Sequence, residues 1–253
     1  MKKPGLILML LFTLQPFLFP QQEKSILFKK ADHRNTSVKF KNSLTETYSE
    51  CMLTFVNFYT GAGVGIIDVN NDRLQDIFFA GNQVSSRLYL NKGGFKFEDI
   101  TVQAGVKTDQ WITGVSIVDI NQDGFDDIYL SVSGSDACAN NGNLLFINNH
   151  DNTFTEKAAS YNLNVKEQIT HTSFFDYDRD GYLDAFLATN PVDFKLNSSA
   201  PLQSPKIKGE ARGTDILLHN EGNGKFTDVS SQAGILFDGY SLGVNTSDFN
   251  NDG

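Results

Sequence analysis

Short apolar runs bounded by Asp, Asn and Gly recur along this chain, and each recurrence has the same internal order. Gly63 to Ile67, Thr113 to Val118, Thr172 to Phe175 and Leu242 to Ser247 each lead into an acidic segment. Ile77 to Ala80, Ile128 to Val132 and Ala185 to Ala188 follow the first three of those segments. Runs this short, rich in Ile, Val, Phe and Tyr, predict strands, so each acidic segment reads as the turn of a β-hairpin. Two more strands are predicted per unit. Leu88 to Asn91, Leu145 to Asn148 and Leu217 to Asn220 all end in Asn, then turn into Phe97 to Ile100, Phe154 to Lys157 and Phe226 to Val229. The tails match as well, Ala104-Gly105-Val106 and Ala233-Gly234-Ile235, with Tyr161-Asn162-Leu163 in between.

The acidic segments begin at Asp68, Asp119, Asp176 and Asp248, 51, 57 and 72 residues apart. Four short antiparallel strands per ~50 residues is the period of a β-propeller blade, an architecture that limits exposed strand edges by radial repetition. The predicted fold is therefore all-β, a propeller of four-stranded blades. The longer third interval is accounted for by Pro191 to Gly213, which carries Ser198, Ser199, Pro201 and Pro205 and reads as a solvated insert. Composition agrees, with 21 Phe and 21 Gly beside 6 Pro and 3 Met among 253 residues, a mix suited to short strands and tight turns.

Lys plus Arg number 21 against 30 Asp plus Glu, a net charge of −9 that argues against nucleic acid and for a cation as guest. The acidic turns supply the chemistry. Oxygen-bearing residues fall at positions 1, 3, 5 and 9: Asp68, Asn70, Asp72 and Asp76; Asp119, Asn121, Asp123 and Asp127; Asp176, Asp178, Asp180 and Asp184. Alternate side chains of a tight turn converge, and the carbonyl at position 7, from Leu74, Phe125 or Tyr182, can join them. Hard oxygen donors without His or Cys suit Ca2+, so calcium is the predicted ion. An EF-hand is rejected, because its position 12 requires Glu and this chain has Phe79, Leu130 or Leu187 there. Ordinary turn chemistry is the competing reading, since Asp, Asn and Gly favour turns anyway. Three turns with the same four positions filled, each a cluster of three or four carboxylates that would repel itself unless neutralised, favour metal. Turn 1 is the expected weak site, because Arg73 replaces the Gly found at Gly124, Gly181 and Gly253. A fourth turn is half present as Asp248, Asn250 and Asp252.

At the amino terminus, Lys2 and Lys3 precede an apolar run from Leu6 to Leu14 and a second patch from Phe17 to Phe19. That pattern predicts a secretory signal over residues 1–22, too short in its apolar part to span a membrane. Residues 23–54 then form a segment leading into the propeller of 55–253. Cys51 and Cys138 are the two thiols, read as small buried hydrophobes, with a disulfide as the alternative. Asn35, Asn197 and Asn245 stand in glycosylation patterns, which matter only in a glycosylating host.

The units resemble FG-GAP, or VCBS, repeats, as in the propeller of integrin α chains, and are most similar to secreted bacterial VCBS proteins related to the ASPIC/UnbV and cartilage acidic protein group. The residues carrying the resemblance are Gly61-Ala62-Gly63-Val64-Gly65, Asp68 to Asp76, Ile77 to Asn82, Leu88 to Asn91 and Phe95 to Val106, and it extends from Phe55 to the end. It implies a calcium-stabilised seven-bladed propeller for extracellular binding, with no catalytic residues. A seven-bladed ring needs on the order of 350 residues. The chain ends inside its fourth turn, so an incomplete arc of three to four blades is expected.

His33, His150, His171 and His219 are read as turn or edge residues, and no catalytic motif accompanies them. Trp111, Tyr129 and Tyr182 are read as packing between blades, with stacking on a sugar as the alternative. The expected function is therefore a secreted or cell-surface, non-enzymatic calcium-binding module for an extracellular protein or glycan. The alternatives are a polysaccharide-degrading enzyme such as a lyase, and a purely structural scaffold.

Overall fold

The computed structural model describes residues 30–53, 55–133, 142–190, 209, 213–237 and 239–250. The signal segment, Cys138, Asn197, almost all of the 191–213 insert, Asp252 and Gly253 lie outside the described residues. Asp32–Gly253 forms one compact unit. Among its described residues, two short α-helices, α1 (His33–Thr36) and α2 (Ala158–Tyr161), and one 3-10 turn (Val56–Tyr59) accompany twelve strands.

The strands make three four-stranded antiparallel sheets, each in sequential order. The first holds β1 (Val64–Ile67), β2 (Asp76–Phe79), β3 (Arg87–Asn91) and β4 (Phe97–Asp99). The second holds β5 (Ile112–Val118), β6 (Asp127–Val132), β7 (Leu144–Asn148) and β8 (Phe154–Glu156). The third holds β9 (Ile169–Phe175), β10 (Asp184–Thr189), β11 (Ile216–Asn220) and β12 (Phe226–Asp228). These are the blades that the repeat predicts, and they stand side by side without closing into a ring. The first strands face one another, β1 against β5 and β5 against β9, and so form the inner edge.

Each pair of neighbouring blades shares a core. Ile67, Phe78, Leu88 and Leu90 pack with Ile128, Leu130 and Phe146 between the first and second blades. Tyr129, Leu145 and Ile147 pack with Leu163, Leu187 and Leu218 between the second and third. Strand β6 alternates with period two, sending Ile128 and Leu130 to one core and Tyr129 to the other, so every residue along it is buried. By contrast, β1 alternates exposed and buried residues, because Val64 and Ile66 have no blade on their side among the described residues.

The inner edge leaves no room for a side chain at Gly63 or Gly65. A Cβ on Gly63 would lie 2.7 Å from the backbone nitrogen of Val115, and one on Gly65 would lie 2.8 Å from the side chains of both Val115 and Ile117. Hydroxyls then sew the second blade to the third: Thr113 Oγ1 donates to the Ile169 carbonyl at 2.5 Å, and Ser116 Oγ donates to the Thr172 carbonyl at 2.6 Å. Gly63→Ala is expected to lower stability by about 1–3 kcal/mol through overpacking against backbone. Thermal melting checks this, and an unchanged midpoint would mean that β1 and β5 are not pressed together.

One predicted strand does not form. Residues 242–247 are irregular, and Leu242 is exposed. A strand holds only when its N–H and C=O groups pair in a ladder, and this segment joins none of the three sheets, although Ser241 just before it bonds Thr189 of β10 and Thr170 of β9. Cys51 is half-buried rather than buried.

Candidate metal centres at the acidic turns

Each acidic turn folds around its own carboxylates. In turn 1 the Asp72 N–H donates to Asp68 Oδ1 (3.1 Å) and Asn70 Oδ1 (3.2 Å), Arg73 N–H to Asp68 Oδ2 (2.8 Å), and Leu74 N–H to Asp72 Oδ1 (2.7 Å). Turn 2 repeats the pattern with Asp123 N–H on Asp119 and Asn121, Gly124 N–H on Asp119, and Phe125 N–H on Asp123. Turn 3 repeats it with Asp180 N–H on Asp176 and Asp178, Gly181 N–H on Asp176, and Tyr182 N–H on Asp180. Aspartate and asparagine form such local rings readily, which is why the sequence turns here. The backbone takes positive φ at position 4 (Asn71, Gln122, Arg179) and at position 6, where Arg73 stands at +68° against +87° and +91° for Gly124 and Gly181. Arg73 thus adopts the conformation that glycine takes in the other two turns, at a cost of order 1 kcal/mol.

Position 9 differs from the rest. Asp76, Asp127 and Asp184 begin β2, β6 and β10 and are at most 1% exposed. One carboxylate oxygen accepts the N–H of position 2 and the other accepts the N–H of the Asn that ends the third strand. For Asp127 these are Ile120 at 3.2 Å and Asn148 at 2.8 Å; Asp76 takes Val69 and Asn91, and Asp184 takes Tyr177 and Asn220. The same three asparagines donate their side-chain amides to the carbonyls of Gln75, Asp126 and Leu183. Hence the recurrent terminal Asn ties the third strand to the acidic turn.

Burial pushes the Asp127 carboxyl up to about 7, against the opposing pull of the Asn148 and Ile120 N–H groups. Asp76 and Asp184 are raised for the same reason. At Asp123 burial also pushes upward, but hydrogen bonds from His150, the Phe125 N–H and Asn121 outweigh it and hold the carboxyl low.

Three carboxylates come together in turn 3. Single oxygens of Asp176, Asp178 and Asp184 lie within 4.8 Å of one another, a spacing a divalent cation can bridge. His219 Nδ1 approaches the same turn, 3.1 Å from Asp184 Oδ1 and 3.5 Å from Asp178 Oδ2. His150 Nε2 lies 2.9 Å from Asp123 Oδ2, with its ring stacked on Phe125 at 4.1 Å. Sequence reasoning missed both histidines as companions of the turns. The available signal was their place beside Asn148 and Asn220, two residues after one and one before the other. Turns 1 and 2 each carry Asn at position 3, leaving three carboxylates rather than four. Leu74, Phe125 and Tyr182 stand at the turn exits, their N–H groups spent on position 5. In the fourth segment Asn250 N–H meets Asp248 Oδ1 at 3.2 Å, and Asp252 lies outside the described residues.

Neighbouring turns also touch. Asn71 Nδ2 donates to the Gly124 carbonyl at 2.8 Å, and Gln122 Nε2 donates to the Gly181 carbonyl at 2.5 Å. Position 4 of one turn therefore grips position 6 of the next.

Residues 68–130 and 132–187 match the FG-GAP-like repeat family. Curated proteins offer no match. Among solved structures, the chain is similar at 18% identity and a TM-score of 0.35 to an Agrocybe aegerita lectin, described for its specific recognition of non-reducing terminal N-acetylglucosamine. The alignment covers 71% of this chain and 39% of the lectin chain, so this chain spans about two fifths of that protein. No helix among the described residues is long and apolar enough to cross a membrane. Residues 68–130 and 132–187 are thus similar to FG-GAP-like repeats, and the β-sheets are blades of the propeller kind.

Proposed function

We propose that the protein is an exported, calcium-binding propeller that acts as a non-enzymatic extracellular binding module. The observation that carries this reading is the acidic turn, built the same way three times around its position-1 aspartate, with the carboxylates of Asp176, Asp178 and Asp184 brought within 4.8 Å of one another in the third. All side-chain donors at the four positions are hard oxygens, which favour Ca2+ over softer transition metals. The Lys2-Lys3 pair and the Leu6 to Leu14 run support export, and millimolar external calcium would fill even weak sites. The position-9 aspartates explain how an ion would stabilise the fold: they join each turn to the third strand of its own blade, so a cation shared by positions 1, 3 and 9 would clamp the blade.

Melting of the full chain with calcium and with chelator tests the proposal. Calcium should add about 1 kcal/mol per filled site, a rise of about 2–4 °C each. Asp180→Ala should remove more of that rise than Asp72→Ala, because turn 3 has four carboxylates and turn 1 has Asn70 and Arg73. Equal midpoints with calcium and chelator would remove the metal role.

A further inference from the structure

Asp or Asn precedes Gly three times among the described residues, at Asp123-Gly124, Asp180-Gly181 and Asn223-Gly224. Such a step carries its own chemistry. Glycine has no Cβ to hinder its backbone nitrogen, and the side-chain carbonyl carbon of the preceding residue is within reach of attack by it. Whether the step reacts depends on the fold, because an N–H held by an acceptor is not free to turn toward that carbon.

The acidic turns tie the nitrogen. Gly124 N–H donates to Asp119 Oδ2 at 2.9 Å, and Gly181 N–H donates to Asp176 Oδ2 at 2.9 Å. Their aspartates are engaged as well, Asp123 Oδ1 by the Phe125 N–H and Asp180 Oδ1 by the Tyr182 N–H. Asn223-Gly224 differs. It forms the tip of the hairpin between β11 and β12, a loop closed by the Glu221 N–H on the Lys225 carbonyl at 2.9 Å. Asn223 is exposed, and neither its side-chain amide nor the Gly224 N–H has a hydrogen-bond partner among the described residues. The corresponding pairs in the first and second blades are Gly94-Phe95 and Asp151-Asn152, so the third blade alone of the three sets Asn before Gly at this tip.

We propose that Asn223 is a site of spontaneous modification, converting through a cyclic imide with Gly224 to aspartate and isoaspartate. The Gly224 nitrogen gives its proton to solvent and bonds to Asn223 Cγ; the Cγ–Nδ2 bond breaks, and Nδ2 takes a proton from solvent and leaves as ammonia. Water then opens the imide. Cleavage between the Gly224 nitrogen and Cγ gives aspartate, and cleavage between that nitrogen and the backbone carbonyl carbon gives isoaspartate, whose chain runs through Cγ. The tip stands beside turn 3, since a Cβ on Gly222 would lie 2.7 Å from the Tyr182 ring, so the new carboxylate appears at the rim of that turn. Isoaspartate also lengthens by a methylene the loop that Glu221 and Lys225 close, and Lys225 Nζ reaches across to the Ser160 carbonyl of α2. Conversion therefore loosens a tie between the second and third blades. The proposal does not rest on the metal reading.

The full chain is aged at mildly alkaline pH, with calcium and with chelator, and the peptide carrying residue 223 is followed by digestion and mass spectrometry. The expected result in both conditions is steady conversion of the amide to the acid, divided between aspartate and isoaspartate. Isoaspartate is diagnostic, because direct hydrolysis of the side chain gives aspartate alone. Gly224→Ala should slow the conversion about tenfold, since a methyl group hinders the nitrogen and restricts the backbone. Asn223→Gln should abolish it, because the longer side chain closes its ring far less readily. Converted protein, separated by charge, should melt about 2–4 °C below the unconverted form, the shift of one lost hydrogen bond, while aged Asn223→Gln protein keeps its midpoint. An unchanged amide in the folded chain while a synthetic peptide of residues 219–227 converts, aspartate without isoaspartate, or isoaspartate forming at residue 123 or 180 as fast as at 223 overturns the proposal. An unchanged midpoint after conversion overturns the loosening of the blades.

Discussion

Asp127→Ala should destabilise the protein by about 2–4 kcal/mol at pH 5, a fall in melting midpoint on the order of 10 °C. The side chain is fully buried and accepts the backbone N–H groups of Ile120 and Asn148. Alanine leaves both donors in a space that water does not reach, and each orphaned donor costs about 1–3 kcal/mol. Asp127→Asn keeps one acceptor and should cost about half as much. The acidic pH matters, since there the wild-type carboxyl is protonated and the comparison is free of its charge. A midpoint for Asp127→Ala within a degree or two of wild type would show that the turn and β7 are held together by other means.

The second large effect is the dependence of metal-free stability on pH. Asp127 holds its proton in the folded state up to about 7, while an unfolded aspartate loses it near 3.8. Between those values the folded state binds more protons, so stability must fall as pH rises. Its favourable contribution is complete below about 3.8 and lost above about 7, and a shift of three pH units corresponds to about 4 kcal/mol. Asp76 and Asp184 are raised too and add to the slope. With chelator present, the midpoint should therefore drop between pH 5 and pH 7.5. Calcium should flatten the curve, because a cation at the turn replaces the proton with a charge partner. Asp127→Asn should reduce the slope without abolishing it, since two raised aspartates remain. A metal-free protein whose midpoint rises over that interval would contradict the burial of these carboxylates.

The unfavourable charge at position 9 explains why the same residue serves two purposes. Its two oxygens finish the hydrogen bonding of the blade, and its buried charge gives a cation something to neutralise. Local repetition makes this legible: aspartates at positions 1, 5 and 9 recur at fixed offsets set by the backbone of the turn, and an Asn closes the third strand of every blade, although 15, 21 and 36 residues after position 9. What the offsets cannot convey is which blade meets which. Asn71 reaching Gly124 and Gln122 reaching Gly181 join neighbouring blades across 53 and 59 residues and depend on how the sheets stack, while the histidines at Asp123 and Asp184 return within their own blades across 27 and 35 residues and depend on the length of the intervening loop.

Strand positions, turn positions and the all-β class were thus determined by the sequence itself, because period-two burial and Asx turns act over a few residues. Strand β6 was readable as Ile128 to Val132, one residue short of its observed start at Asp127, since a strand buried on both faces must be apolar nearly throughout. The failure at 242–247 has the complementary reason: a strand is completed by its neighbour, and pattern alone cannot supply one. Only the tertiary structure decided that Gly63 and Gly65 press on β5 and that the position-9 carboxyls are sealed from water. Both facts belong to surfaces brought together by packing, where burial turns an ordinary aspartate into a group that needs a particular partner.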